Sequence, residues 1–344
     1  MSAASPRVRV DLRSDTVTRP TAAMRQAMAD AEVGDDASRE DPTVNRLETL
    51  AAALLGKEAA LYVPSGTMAN QLALRVLAVP GTEVLCGERA HVYRYEHAAT
   101  ARNAGVQLRP LPDTNGVLAP PAVLRALADS HEHLPAVSVL WVENTYMATG
   151  GRPTTAASVG ELAAVAHAHG LRVHCDGARV FNAAIATGDE PRALVADVDT
   201  VMFCLSKGLA APVGSVLCGP RADIDAAREE RARVGGGMRQ AGVIAAAGVV
   251  ALETMVERLA DDHARACLLA DALAERFPGS VDPDDVATNI VCASAAALPD
   301  GVVASLADAG VLAGMIDAST VRFVTHVDVD DAGLDAAIDA LRAL

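Results

Sequence analysis

The chain has 344 residues, 51% of them apolar, and a formal charge of −15 at pH 7. That length accommodates one large domain and a smaller one, with enough apolar material for a sizeable core. The acidic balance and the lack of any Lys/Arg block argue against a nucleic-acid surface or an anionic membrane patch, so any phosphate must be held locally.

At the N-terminus, residues 1–10 carry charge but no continuous apolar core, so export is not expected. Between 60 and 220, short β-branched runs at 61–64, 83–86, 106–111, 137–142, 172–175, 200–205 and 214–218 alternate with Ala/Leu-rich helical stretches. This α/β alternation predicts a mostly parallel sheet covered on both faces, with ligands bound at the carboxyl ends of its strands. Polar residues fall at those ends: Ser65-Gly66-Thr67, Glu143-Asn144, Asp176 and Ser206-Lys207. Beyond Gly235-Gly236-Gly237 a helical region covers about 239–276; two isolated strand-like runs come next, at 288–292 and 321–325. The expected organisation is an N-terminal segment (1–45), a large domain (46–238) and a small α+β domain (239–344) that the N-terminal segment joins. Residues 241–252 fall short of the roughly 20 that span a bilayer and read as a buried helix. The six cysteines stand singly, mostly in apolar runs, with no Cys-x-x-Cys pair. They read as reduced thiols of a cytoplasmic protein.

Chemistry concentrates in two segments. The apolar run 201–205 ends on Ser206, Lys207 and a glycine, and a lysine at the mouth of a buried strand is partly desolvated, the setting a Schiff-base nucleophile needs. Upstream, Asp176 follows another apolar strand. Together they suggest pyridoxal phosphate (PLP), with Lys207 for the aldehyde and Asp176 for the ring nitrogen. Gly66 and Thr67 open a helix whose free N–H groups suit a phosphate, and Ser206 adds a hydroxyl. Arg179 has the fork geometry for a carboxylate. Each has a plainer reading: a surface turn for Ser-Lys-Gly, a helix cap for Asp176 or Thr67, an exposed ion pair for Arg179, and a structural hydrogen bond for His91.

Ordered motifs join these pieces: 11–20 (Asp-Leu-Arg-Ser-Asp-Thr-Val-Thr-Arg-Pro), Asp-Pro-Thr-Val-Asn (41–45), Gly-Lys-Glu-Ala-Ala (56–60), Pro-Ser-Gly-Thr-Met-Ala-Asn (64–70), Asp-Gly-Ala-Arg (176–179), Leu-Ser-Lys-Gly (205–208), Pro-Val-Gly-Ser (212–215), Gly-Gly-Gly-Met-Arg-Gln (235–240) and Val-Arg-Phe-Val-Thr-His (321–326). In these the chain resembles, nearly end to end, the low-specificity L-threonine aldolases of the β-eliminating lyase group, within the fold-type I PLP enzymes. The resemblance implies a seven-stranded, mostly parallel sheet and a lyase that cleaves the Cα–Cβ bond of L-threonine, L-allo-threonine or a related β-hydroxy-α-amino acid to glycine and an aldehyde. It assigns Lys207 to the cofactor aldehyde, Asp176 to the pyridine nitrogen, His91 to the ring face and Gly66, Thr67 and Ser206 to the phosphate. Ser14, Arg179 and Arg322 would grip the substrate carboxylate. Arg239 would reach the phosphate site of a neighbouring subunit in a homodimer or homotetramer.

Three positions depart from the family pattern. Tyr146 stands where relatives commonly have a histidine, Ser38 where a tyrosine is usual, and Ala232, flanked by Arg231 and Arg233, where a lysine is expected. His91 is the expected base for the β-hydroxyl, and Tyr146 the residue expected to touch that hydroxyl. Competing readings are another PLP-dependent reaction on β-substituted amino acids (elimination, dehydration or aldehyde exchange) and a catalytically silent PLP-fold binding protein.

Overall fold

The computed structural model describes residues 9–114, 116–129 and 131–344. Residues 1–8, which include most of the stretch that argues against export, lie outside the described residues. The central sheet has seven strands in the order Ala59–Val63, Ser215–Gly219, Thr200–Cys204, Arg172–Asp176, Val137–Glu143, Glu83–Gly87 and Gln107–Leu111. Ser215–Gly219 runs antiparallel to both neighbours, and the remaining pairs are parallel. All seven predicted strands are present, with ends shifted by a residue or two. Runs such as Val84-Leu85-Cys86 are wholly buried, as expected where helices cover both faces of a parallel sheet.

The helices on either side of Ala59–Val63 are anchored by side-chain caps. Pro42–Leu55 starts where the Asp41 carboxylate accepts from Thr43 N (3.1 Å) and Val44 N (3.0 Å), with proline at the first helical position, which has no N–H to leave unpaired. The same carboxylate accepts from Gly242 N at 2.8 Å, tying in the helix Gly242–Thr254. Gly66–Leu77 is capped by Ser65, whose Oγ accepts from Met68 N at 3.2 Å.

The helical region expected over 239–276 is two helices, Gly242–Thr254 and Leu259–Arg276. The first belongs to the main apolar core and the second to a separate core formed with the C-terminal elements. Those cores part between Leu259 and Ala266, later than the triple glycine suggests. The two strand-like runs are the strands Ile290–Ser294 and Thr320–Val324, paired in a three-stranded antiparallel sheet with Gly314–Asp317. Gly314–Asp317 alternates half-buried and exposed positions, so no apolar run announces it.

The N-terminal segment enters this smaller unit. Val10–Asp11 pairs in parallel with Val311–Leu312; Leu12 N donates to Leu312 O (2.7 Å), and Leu12 O accepts from Val324 N (2.8 Å). Leu12 is fully buried in the second core, after which the chain turns through Asp15–Val17 toward the large sheet. Among the described residues no helix is long and apolar enough to cross a membrane. Leu12→Ala should therefore lower stability by about 2–5 kcal/mol, read by urea denaturation, and loosen the segment that delivers residues 14–16.

Candidate active site

The carboxyl ends of the parallel strands open into a cavity of about 440 Å³, within the range of roughly 300–1,000 Å³ usual for small-molecule sites. Ser14, Gly66, Thr67, His91, Asp176, Arg179, Ser206, Lys207 and Arg322 all line it. Residues from the N-terminal segment, the large sheet and the small sheet thus meet in one place.

One end is built for an anion. Ser65 takes the capping role, leaving the Gly66 and Thr67 N–H groups of the first helical turn without intrahelical acceptors. Glycine is required at 66 by packing, since a Cβ there would lie 2.9 Å from Cys204 Sγ and 3.0 Å from Met202 Cε. Nearby, Lys207 sits in the loop joining Thr200–Cys204 to Ser215–Gly219. Its carbonyl accepts from Ala210 N (2.8 Å) and Thr18 Oγ1 (3.2 Å). No described residue hydrogen-bonds or ion-pairs with its amine.

The middle of the cleft is crowded with carboxyl groups. Asp176 accepts from Ala178 N (3.1 Å) on one oxygen and Asn70 Nδ2 (2.8 Å) on the other. Asn70 also donates to Glu96 (2.7 Å) and faces His174 Nε2 (3.3 Å). Burial pushes the His174 imidazole down to about 4, so it is neutral. Glu96, whose side chain is fully buried, accepts from Gln71 (2.8 Å) and pairs with His91 Nδ1 (3.1 Å). Burial alone would lower the His91 pKa. The Glu96 hydrogen bond and the charges of Asp176, Glu96 and Glu143 outweigh it, and the pKa is raised. With Nδ1 engaged by Glu96, Nε2 is the nitrogen left for a substrate. Glu143, strand partner of Asp176, is held up to about 7 by burial and by the Asp176 charge, against N–H donors from His91 (2.7 Å) and Met147 (3.0 Å). Ligand atoms of His91, Glu96 and Asp176 lie within 4.8 Å of one another. Asn70, Gln71 and Ala178 already occupy those carboxylates, an arrangement suited to orienting an imidazole rather than to chelating a cation.

The far end is cationic. Arg179 donates from Nε (2.7 Å) and Nη2 (2.6 Å) to the two oxygens of buried Asp15. Burial opposes ionisation of Asp15, but Arg179, Lys207 and Asn289 together lower its pKa to about 2. Arg322 donates to Arg13 O (2.9 Å) and Met147 Sδ (3.4 Å), while its buried Nε has no partner among the described residues. Burial and the nearby Arg179 charge lower the Arg322 pKa, and Asp15 opposes them. Two guanidinium groups therefore share one carboxylate, which leaves positive charge for a second.

Two predicted residues lie elsewhere. The Tyr146 phenol donates to Asp113 Oδ2 (2.8 Å) and accepts from Arg89 N (3.1 Å); Thr145 and Met147 line the cleft instead. These partners hold the Tyr146 ring in the wall, behind the residues that line the cleft. Arg239 is largely exposed, 3.3 Å from Asp35, and outside its own chain's cleft. Ser38 is exposed. Of the arginines beside Ala232, Arg231 is buried against Asp36 and Tyr62 O, and Arg233 pairs with Glu229 and Glu230. Sequence reasoning missed Asp15, Asn70, Glu96 and Glu143 as a working set, although Asn70 and Glu143 stand in or beside polar motifs and interrupt otherwise apolar elements.

The family model for beta-eliminating lyases matches residues 11–296, and the chain belongs to that family. It is 43% identical over 286 residues to low-specificity L-threonine aldolase 1 of Arabidopsis thaliana, covering 82% of this chain and 80% of that protein. It is 39% identical over 327 residues to the low specificity L-threonine aldolase of Escherichia coli K12, covering 93% and 94%. In three dimensions it matches the threonine aldolase of Leishmania major with a TM-score of 0.84 over 97% of this chain and 99% of that one; at 18% identity this is a likeness of fold.

Glu96→Gln should lower the His91 titration midpoint, because a stabilising charge on the imidazolium is removed. Histidine-labelled NMR titration would read the change. His91 would then be neutral, and able to take a proton, at lower pH than in the parent protein.

Proposed function

We propose that this chain is a PLP-dependent carbon–carbon lyase that cleaves the Cα–Cβ bond of L-threonine, L-allo-threonine or a related β-hydroxy-α-amino acid, giving glycine and an aldehyde. The observation that carries this reading is the meeting, in one cleft, of an unpartnered lysine amine, a buried aspartate and a guanidinium pair one carboxylate short. The activities of its relatives support it.

The donor set fits PLP: the Gly66 and Thr67 N–H groups with the Ser206 hydroxyl for the phosphate, Asp176 for the ring nitrogen, His91 for the ring face and Lys207 for the aldehyde. When bound, PLP supplies an aldehyde for the substrate amine and a ring that accepts the electron pair of the broken bond. The chain's own groups choose which bond that is. Arg322, the Nη1 of Arg179 and Ser14 would hold the substrate carboxylate and so fix how the substrate is turned about its Cα. His91 Nε2 removes the β-hydroxyl proton while Glu96 holds the resulting charge. The carbonyl forms as Cα–Cβ breaks, the aldehyde leaves, and Cα takes a proton before glycine departs. Asp176, which accepts from Asn70 and the Ala178 N–H, would face the ring nitrogen and hold a proton there.

Arg239 serves a neighbouring subunit in this reading, reaching its phosphate from an exposed position, and makes the working unit a homodimer or homotetramer. The six unpaired cysteines suit a reducing, cytoplasmic setting.

Purified protein supplied with PLP should release glycine and an aldehyde from L-threonine, L-allo-threonine or phenylserine; a keto acid with ammonia would instead identify elimination or dehydration. Lys207→Ala should abolish the visible absorbance of the bound cofactor and turnover together. His91→Asn should lower kcat by about 10²–10⁴-fold with PLP still bound. Arg322→Gln should raise KM about 10–100-fold, the loss of one charge-assisted carboxylate contact, measured by steady-state kinetics.

A further inference from the structure

We infer that Tyr146 is a positioning residue for His91, acting from behind the cleft wall through Asp113 and the turn at 87–91; the inference rests on the reading of His91 as the base. Tyr146 is 2% exposed, and its phenol makes two directed contacts, donating to Asp113 Oδ2 at 2.8 Å and accepting from Arg89 N at 3.1 Å. Asp113 in turn accepts from Arg89 Nη2 (2.9 Å) and Gly116 N (3.1 Å). Both the backbone and the side chain of Arg89 are thus held by one Tyr–Asp pair.

The ring reaches this position because two glycines admit it. A Cβ at Gly116 would come within 2.5 Å of Tyr146 ring carbons, and one at Gly87 within 2.5 Å of its oxygen. Gly87 ends the strand Glu83–Gly87 and its carbonyl accepts from Ala90 N (3.1 Å), closing the turn that delivers His91. Two residues beyond the Tyr146 contact, His91 N donates to Glu143 at 2.7 Å, and the other Glu143 oxygen accepts from Met147 N. Residues 143 and 146, from the end of one strand, therefore grip residues 91 and 89 of the next: Glu143 from the cleft side, Tyr146 from the rear. A freed Arg89 N–H would let the turn rotate about the remaining Glu143 contact and shift the imidazole relative to Glu96.

Charged groups facing His91 are Glu96 from its own segment, Asp176 from the neighbouring strand Arg172–Asp176 and Glu143 from Val137–Glu143; the Tyr95 ring lies 5.5 Å away. A shift of the imidazole away from these carboxylates lowers its titration midpoint, so position and protonation report on each other.

The test compares Tyr146→Phe, Asp113→Asn and the double variant, each of which keeps the ring or the acid's shape in place. Two readouts are taken: kcat and KM of the PLP-loaded enzyme, and the His91 titration in cofactor-free protein by histidine-labelled NMR, assigned by the resonance missing from His91→Asn. Each single variant should lower kcat by about 10–100-fold, the scale of a displacement near 1 Å, with KM within a few-fold, and should move the His91 midpoint down. The double variant should be no worse than the worse single, because both act through one turn. An unchanged kcat and midpoint in Tyr146→Phe would overturn the inference, as would a lowered melting temperature with kcat per folded molecule intact, or a loss in Tyr146→Phe that Asp113→Asn does not reproduce. Full activity in His91→Asn would sink the reading of His91 as the base, while the NMR midpoints would still decide whether Tyr146 positions it.

Discussion

The buried pair between Asp15 and Arg179 is the interaction on which the cleft depends. Its partners come from distant parts of the chain, and Asn289 of the smaller unit leans on the same carboxylate at 3.4 Å. An ion pair taken wholly out of water returns little net stability, because desolvation of both charges consumes most of the attraction. Its value here is geometric. With its Nε/Nη2 edge committed to Asp15, Arg179 is held in place, and Arg179 and Arg322 both line the cleft. One carboxylate short of neutrality, the cluster attracts an anion without collapsing in its absence.

The opposite problem governs the proton side. Glu96, Glu143 and Asp176 cannot all be charged cheaply in one buried space. Asp176 and Glu96 accept from amide donors, whereas burial and the Asp176 charge hold Glu143 up to about 7. The imidazole of His91 is embedded in what negative charge remains. A substrate cation or a protonated ring placed among these groups meets a field already organised to receive it.

Much of this was legible in the sequence. The strands of the large sheet announce themselves because burial on both faces makes them continuous apolar runs, and the residues at their ends stand out as sudden polarity. Lys207, Asp176 and Gly66 stand just at or beyond such strand ends, Arg322 lies in one of the motifs, and all four line the cleft. What could not be read depended on approach between distant segments. Asp15 looks like any acid in a polar run until Arg179 is brought beside it. The seat of Tyr146 in the wall depends on Gly87, Gly116 and Asp113, none of them near it in sequence. Gly314–Asp317 escaped notice because its half-exposed pattern has no apolar signature.

Short pairings can carry more than their length suggests. Val10–Asp11 is a strand of only two residues, yet its alignment with Val311–Leu312 sets how far along the chain Ser14 and Asp15 arrive. Slippage by a single residue would exchange inward and outward side chains, pushing a charged neighbour into the apolar seat of Leu12 and drawing Asp15 off its arginine. Fidelity of register in a minor sheet thus becomes a condition for charge balance at the reaction centre.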